Sequence, residues 1–247
     1  MEEGVNPSPG DFFLHYKGRF YQVTGTGWNT DSGEPSVYYM PCYEIPKDVP
    51  LPFNKTRRTF LEDAIVDGVN VGPRFRKTLP VRHATVCMLR KNGSTLFVDY
   101  TNSNHPIHQG LFSWPGGKIE SGESLEDCVR REMREESCIE TGALVYRGVV
   151  NFVNDRRTKQ DGSSLDKNYR VHYFDCNDFN DDMARGEEGP LLWVENAMFP
   201  SLNTHASDKV IWDLLGKNRF FEATIAQVGM ELDWHKVLKA EPLQLAC

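Results

Sequence analysis

The residue types that could do chemistry are concentrated between Gly116 and Ile139. Gly116-Gly117 is followed by Glu123, then Arg131-Glu132-Met133, then Glu135-Glu136 and Cys138-Ile139. A helix is expected to open after Ser124, with Asp127 at its third position and Gly122 just outside. At about 100° per residue, Leu125, Cys128 and Val129 share the arc that a helix turns toward its core. Glu132, Glu135 and Glu136 continue along that arc, whereas Arg130, Arg134 and Ser137 point away. Carboxylates converging on an inward face are unfavourable without a countercharge. A divalent cation supplies it, and an all-oxygen site suits magnesium or manganese. A solvated face with pairs such as Arg131 and Glu135 is the ordinary alternative for a charged helix. Here the acids replace the apolar stripe itself, directly behind a Pro-Gly-Gly loop.

The spacing resembles the Nudix box, Gly-x5-Glu-x7-Arg-Glu-U-x-Glu-Glu-x-Gly-U with U aliphatic. Eight of its nine specified positions are met, and the exception is Cys138, where the family has glycine. The resemblance implies an α/β/α sandwich with a mixed sheet. It further implies that Glu132, Glu135 and Glu136 hold the metals and activate water, with the carbonyl of Gly116 as a further ligand. Arg131 and Glu123 would form a pair that fixes the loop against the helix. Gly116 and Gly117 would let backbone approach cation and phosphate closely. Lys118 is placed to meet a phosphate, or is an exposed lysine after a turn. Glycine at position 138 would end the helix in a left-handed conformation, so Cys138 implies an altered turn or modest strain.

Downstream segments resemble MutT-type members of the same family. Glu187-Glu188-Gly189 before Leu192-Trp193-Val194 matches their second carboxylate region, which places Glu188 in the metal shell. Phe199-Pro200-Ser201-Leu202-Asn203 matches a segment whose asparagine bonds a purine, although Asn203 before a helix also reads as an N-cap. Asn218 to Ala223 resembles a strand near the end of several 8-oxo-purine triphosphate hydrolases. The strand arginine of MutT falls near Tyr100, so that phosphate contact is missing or moved. Arg156-Arg157 and Lys159 could replace it, but they are expected in an exposed hairpin loop. His105 and His108 are expected at the surface.

The elements that position these residues divide by texture. Residues 10–77 form short β-type runs, Phe12 to Leu14, Arg19 to Thr24 and Ser36 to Met40, separated by turn signals that include Asp67-Gly68. They suggest a small SH3-like β domain, and they resemble an uncharacterised small domain of bacteria and their phages. Its aromatics Tyr16, Tyr21, Trp28, Tyr38 and Tyr39 are expected in a core. Residues 46 to 59 depart from that domain, with extra prolines and basic residues. Gly72 to Pro80 reads as the linker, and residues 80–240 as the Nudix domain. There, strands at 83–89, 94–100, 143–153, 169–176 and 191–194 interleave with two helices, and a last hairpin is expected from Phe220 onward.

With 247 residues, 39% hydrophobic, and a net charge of −7, the chain lacks the basic character that nonspecific duplex DNA binding requires. Its six cysteines form no Cys-x-x-Cys pair or zinc-spaced cluster. Free thiols, an acidic start with no signal-peptide pattern and no run of eighteen apolar residues point to a cytoplasmic protein. The implied activity is metal-dependent hydrolysis of a nucleoside diphosphate linked to another group, foremost a purine (deoxy)nucleoside triphosphate. ADP-ribose, a dinucleoside polyphosphate or an RNA 5′ end is the alternative substrate class. A nucleotide-sensing protein that does not cleave is the alternative of a different kind.

Overall fold

The computed structural model describes residues 5–159, 161–180, 189–228 and 231–243. The chain divides into two compact units, one running to Val81 with Asp166–Asn168 and the other comprising Arg82–Leu165 and the residues from Tyr169 onward.

The first unit is an antiparallel β region. Its strands are β1 (Phe12–His15), β2 (Phe20–Asn29), β3 (Glu34–Pro41) and β4 (Phe53–Thr56), followed by a short helix α1 (Arg57–Leu61), a ribbon of β5 (Asp63–Val66) and β6 (Val69–Pro73), and β7 (Phe75–Thr78). The five-stranded sheet has the order β4-β3-β2-β1-β7, and β5 and β6 form a separate two-stranded sheet. The expected Asp67-Gly68 turn joins that ribbon, with Val66 opposite Val69 and both turn residues at positive φ. Phe13, Val23, Val37, Tyr39, Phe60 and Phe75 form the core, and Phe60 stacks on Phe75 at 4.2 Å.

Two expectations for this unit are corrected, the linker and Trp28, and one segment left open is now described. Part of the stretch read as a linker is β7, which pairs with β1 and buries Phe75. Polar neighbours at Arg74, Arg76 and Lys77 masked that strand. The proline-rich departure ends in α1, capped by Thr56, and this helix delivers Phe60 to the core. Trp28 is 62% exposed, because the β2–β3 hairpin runs past the end of β1, whose register stops at Gln22.

The second unit is built on a mixed sheet. Its elements are β8 (Val81–Lys91), β9 (Ser94–Asp99), β10 (Phe112–Ser113), α2 (Leu125–Ser137), β11 (Leu144–Arg156), β12 (Asn168–Cys176), β13 (Leu191–Glu195), α3 (Ala206–Lys217), β14 (Asn218–Val228) and β15 (Glu231–Pro242). The strand order is β10-β9-β8-β12-β11-β14-β15, and β13 also pairs with β9, antiparallel. β11 and β14 run parallel, whereas β11–β12 and β14–β15 are antiparallel.

Strand alternation explains the layering. Phe97, Val171 and Tyr173 face one side and join Ile211, Leu214 and Leu215 of α3. Their neighbours Leu96, Phe174 and Cys176 face the other side and join Val129 and Met133 of α2. The result is the expected α/β/α sandwich. Among the described residues no helix is long and apolar enough to cross a membrane.

Candidate active site

The helix bearing the acids begins as its sequence dictates. Ser124 Oγ accepts from the Asp127 amide at 3.1 Å and donates to Asp127 Oδ2 at 2.6 Å. Cys128, Val129 and Met133 then bury one face against the sheet. The loop before the helix is tied along β8, with the Thr85 amide donating to the Gly117 carbonyl and the Cys87 amide to the Pro115 carbonyl. Helix and loop meet at two glycines. A Cβ on Gly116 would lie 2.2 Å from the Thr85 carbonyl oxygen, and one on Gly117 would lie 2.2 Å from the Glu132 carboxylate. Either side chain would have to displace a neighbour, so the approach itself requires glycine.

Arg131 organises the carboxylates. Its Nε and Nη2 donate to the two oxygens of Glu123 at 2.8 and 3.0 Å, and Nη2 also reaches the Lys118 carbonyl. Its Nη1 donates to Glu132 at 2.8 Å and to Glu135 at 3.1 Å. These hydrogen bonds hold Glu123 down to about 2 and push the guanidinium above its ordinary value. Glu136 is buried, at 6% exposure, and accepts from the Gly116 amide at 3.1 Å. Three carboxylates therefore share one guanidinium, and Glu136 adds a fourth nearby, an excess of negative charge in a partly buried place.

Two orientations depart from the expected arc. Glu135 is exposed, at 61% for its side chain, whereas Ser137 is buried and donates to the Met133 carbonyl. The buried face is centred between Val129 and Met133 rather than on Leu125, which turns Glu135 to the rim. Arg130 is half-buried and donates to the carbonyls of Thr141 and Gly142. Cys138 adopts the left-handed conformation at φ 57 and ψ 20, so the helix end keeps the turn a glycine would make.

Among the described residues no three His, Cys, Asp or Glu side chains stand together as an enclosed metal site. The donor chemistry still fits a hard divalent cation. Glu132, Glu136 and the backbone oxygen of Gly116 offer oxygen only, and the surplus negative charge calls for a cation.

Gly116 and Glu132 border a cavity of about 690 Å³ within the second unit. Gly116, Gly117, Lys118, Arg131 and Glu132 line one part of it. The sheet supplies apolar and aromatic walls through Phe152, Tyr169, Val171 and Tyr173, with Trp114 beside them. The remaining wall holds His105, His108, Arg157, His205 and Asp208.

That last group overturns two expectations. Arg157 is buried at 9% exposure rather than set in an exposed loop. β11 runs on to Arg156, and a turn closed by the Arg157 amide on the Asn154 carbonyl tucks the side chain inward. His105 and His108 are half-buried and packed together at 4.6 Å, with Tyr100 5.2 Å from each ring. Asp208 and His205, which the sequence reading did not single out, are buried at the start of α3. Burial pushes Asp208 up to about 7. A histidine immediately before a helix and an aspartate in its first turn were the available signals.

Asn203 is exposed and does not line the cavity. Its amide donates to the Gly110 carbonyl at 2.7 Å, and the helix cap falls at His205 instead. Glu187 and Glu188 lie outside the described residues.

The Nudix domain family matches residues 79–211, more than half of the chain. The chain belongs to the Nudix family. Residues 11–77 match a second family, a protein of unknown function designated DUF1653. An uncharacterized Nudix hydrolase of Bacillus subtilis, YvcI, is 27% identical over 140 residues, covering 56% of this chain and 82% of its own. A nucleoside triphosphatase of Escherichia coli, NudI, is 30% identical over 113 residues, covering 44% of this chain and 79% of its own. A mutator MutT protein crystal structure from Bacillus halodurans superposes with a TM-score of 0.53 at 22% identity, covering 63% of this chain and 97% of that one, and shares the fold. The protein is a Nudix hydrolase, and Nudix hydrolases generally use divalent metal ions.

Proposed function

We propose that this Nudix hydrolase cleaves a purine (deoxy)nucleoside triphosphate to the monophosphate and pyrophosphate. The single observation that carries the reading is the joining of two environments in one cavity. Carboxylates crowd around Arg131 at one part, and aromatic walls able to take a base line another. The name of the Escherichia coli relative, a nucleoside triphosphatase, supports the substrate class.

In this reading Glu132, Glu136 and the Gly116 carbonyl hold magnesium or manganese, and Glu188 joins them. Bound there, the cation neutralises phosphate oxygens and lowers the pKa of water. The chain's own groups do the rest. Arg131 fixes Glu123 and the loop, so that the acids stay aligned while substrate enters. Lys118 meets a phosphate oxygen as a point charge. Glu135, at the rim and held by Arg131, completes the acidic set, and a carboxylate of the set takes the proton from the attacking water. Gly117, lacking a side chain, leaves Glu132 room beside the loop.

The test is incubation of the full chain with magnesium and a panel of triphosphates, ADP-ribose, dinucleoside polyphosphates and 5′-triphosphorylated RNA, followed by chromatography of products. Monophosphate and pyrophosphate from purine triphosphates are expected. Turnover confined to the other compounds, or tight binding with no turnover, would overturn the assignment.

A further inference from the structure

The basic residues that set positions 46 to 59 apart have no part in the hydrolytic reading. They lie in the first unit, beside the β2–β3 hairpin that runs past the end of β1. In that hairpin Trp28 stands opposite Pro35 and Thr26 opposite Val37, and Val37 in turn stands opposite Lys55 of β4. Opposed residues of an antiparallel pair share a face, and residues two apart do likewise. Trp28, Pro35 and Lys55 therefore lie on one side of the sheet. Arg57 and Arg58 follow directly on β4 and line a hollow of about 310 Å³ with Pro35. Arg57 and Pro35 also border a second hollow, of about 320 Å³, together with Ser8 and Thr26. One indole and three cations are thus gathered at one end of this sheet.

Two properties make this end a surface for a ligand. Trp28 is 62% exposed and has no ring contact among the described residues, an unusual state for so large an apolar side chain. The side chains of Lys55, Arg57 and Arg58 have no ion-pair or hydrogen-bond partner among the described residues, although Arg57 is half-buried. Elsewhere in the same unit, Arg74 is paired with Glu62 and Lys77 with Asp11. The acids at this end are Glu34, which lines the first hollow, and Asp31 of the hairpin turn. Three bases against two acids leave a positive excess, on a chain whose net charge is −7.

Guanidinium and ammonium groups only donate, so their partner must accept and carry negative charge. An open indole face takes a second flat ring. Single-stranded nucleic acid offers both, with phosphates along its backbone and unpaired bases free to stack. An acidic peptide would occupy the cations and leave the indole unused. A duplex keeps its base faces inside its own stack.

We propose that this end of the first unit binds single-stranded nucleic acid, with Trp28 stacking on a base and Lys55, Arg57 and Arg58 meeting the flanking phosphates. The assignment does not rest on the nucleotide-hydrolase reading.

The experiment follows fluorescence anisotropy of labelled oligothymidylate and oligouridylate, of about twelve nucleotides, titrated with the full chain in EDTA. Saturable binding of either strand is expected, weakening as salt rises. Trp28→Ala should raise Kd about tenfold, the worth of one stacked base, and Trp28→Phe should recover most of that loss. Arg57→Gln and Arg58→Gln should each lower the slope of log Kd against log salt by about 0.7, one phosphate contact apiece. Absence of binding to wild type at low salt overturns the proposal, whatever the variants do. So does a Trp28→Ala protein that melts like wild type and binds as tightly. Displacement by polyglutamate as effective as by unlabelled oligothymidylate would make this a site for acidic peptides and sink the assignment. Equal affinity for a duplex of the same length would reduce the contact to charge alone and sink it too.

Discussion

Both carboxylate oxygens of Glu123 are bound by Arg131, Oε1 by Nε at 2.8 Å and Oε2 by Nη2 at 3.0 Å. The pair spans the loop and the middle of α2, and the same guanidinium continues to Glu132 and Glu135. The contact has a pH signature. Glu123 is held at about 2, below its ordinary 4.5. A carboxylate with a depressed folded-state pKa gives stability that is complete above the ordinary value and lost as pH falls through the lowered one. Wild type should therefore lose melting temperature between pH 4.5 and about 2 more steeply than Glu123→Gln. Parallel melting curves for the two proteins across that window would remove the pair from the stability of the site.

Glu136 is buried and accepts from the Gly116 amide of the loop. Glutamine in its place keeps a carbonyl oxygen for that amide but loses the charge. Glu136→Gln should melt close to wild type and lose at least about a hundredfold in kcat, the scale of losing an acid–base group. Retained turnover would show that this carboxylate is neither ligand nor base.

Much of this site was legible from local pattern, and the remainder depended on distant parts of the chain. Ser124 and Asp127 announced the helix start because capping is a three-residue event. The two helical layers followed from the resemblance to the Nudix box, and the opposite-facing residues of β9 and β12 are what build them. Glu135 was misplaced because an ideal 100° wheel does not say where the buried arc is centred, and packing of Met133 and Ser137 moved that centre. Arg157 was misread because its environment comes from His205, far along the sequence on the approach to α3. The strand β7 escaped notice because only Phe75 of its four residues is buried, so alternation had too little to show.

Cys138 stands at φ 57 with its amide donating to the carbonyl of Arg134, the position where a helix end favours glycine. A side chain there costs about 1 kcal/mol through crowding of Cβ against backbone. It is exposed, so little packing offsets that cost. Cys138→Gly should therefore stabilise the chain by about 1 kcal/mol in urea titration, with kcat unchanged, since no site carboxylate is altered. Destabilisation would mean that the thiol contributes contacts outweighing the backbone strain.

Asp208 contributes a pH dependence of opposite sign to that of Glu123. Burial raises it from 3.8 to about 7, against the opposing pull of Arg157. The folded chain thus keeps a proton that the unfolded chain releases, so stability falls as pH rises through that interval and levels off above it. Asp208→Asn removes the ionisation while preserving shape. Its unfolding free energy, measured by urea titration at several pH values, should gain on wild type progressively from pH 3.8 to about 7 and then run parallel. A difference that stays constant across the interval would mean that Asp208 titrates in the folded chain as it does in water, and that the wall bearing Arg157 is hydrated rather than closed.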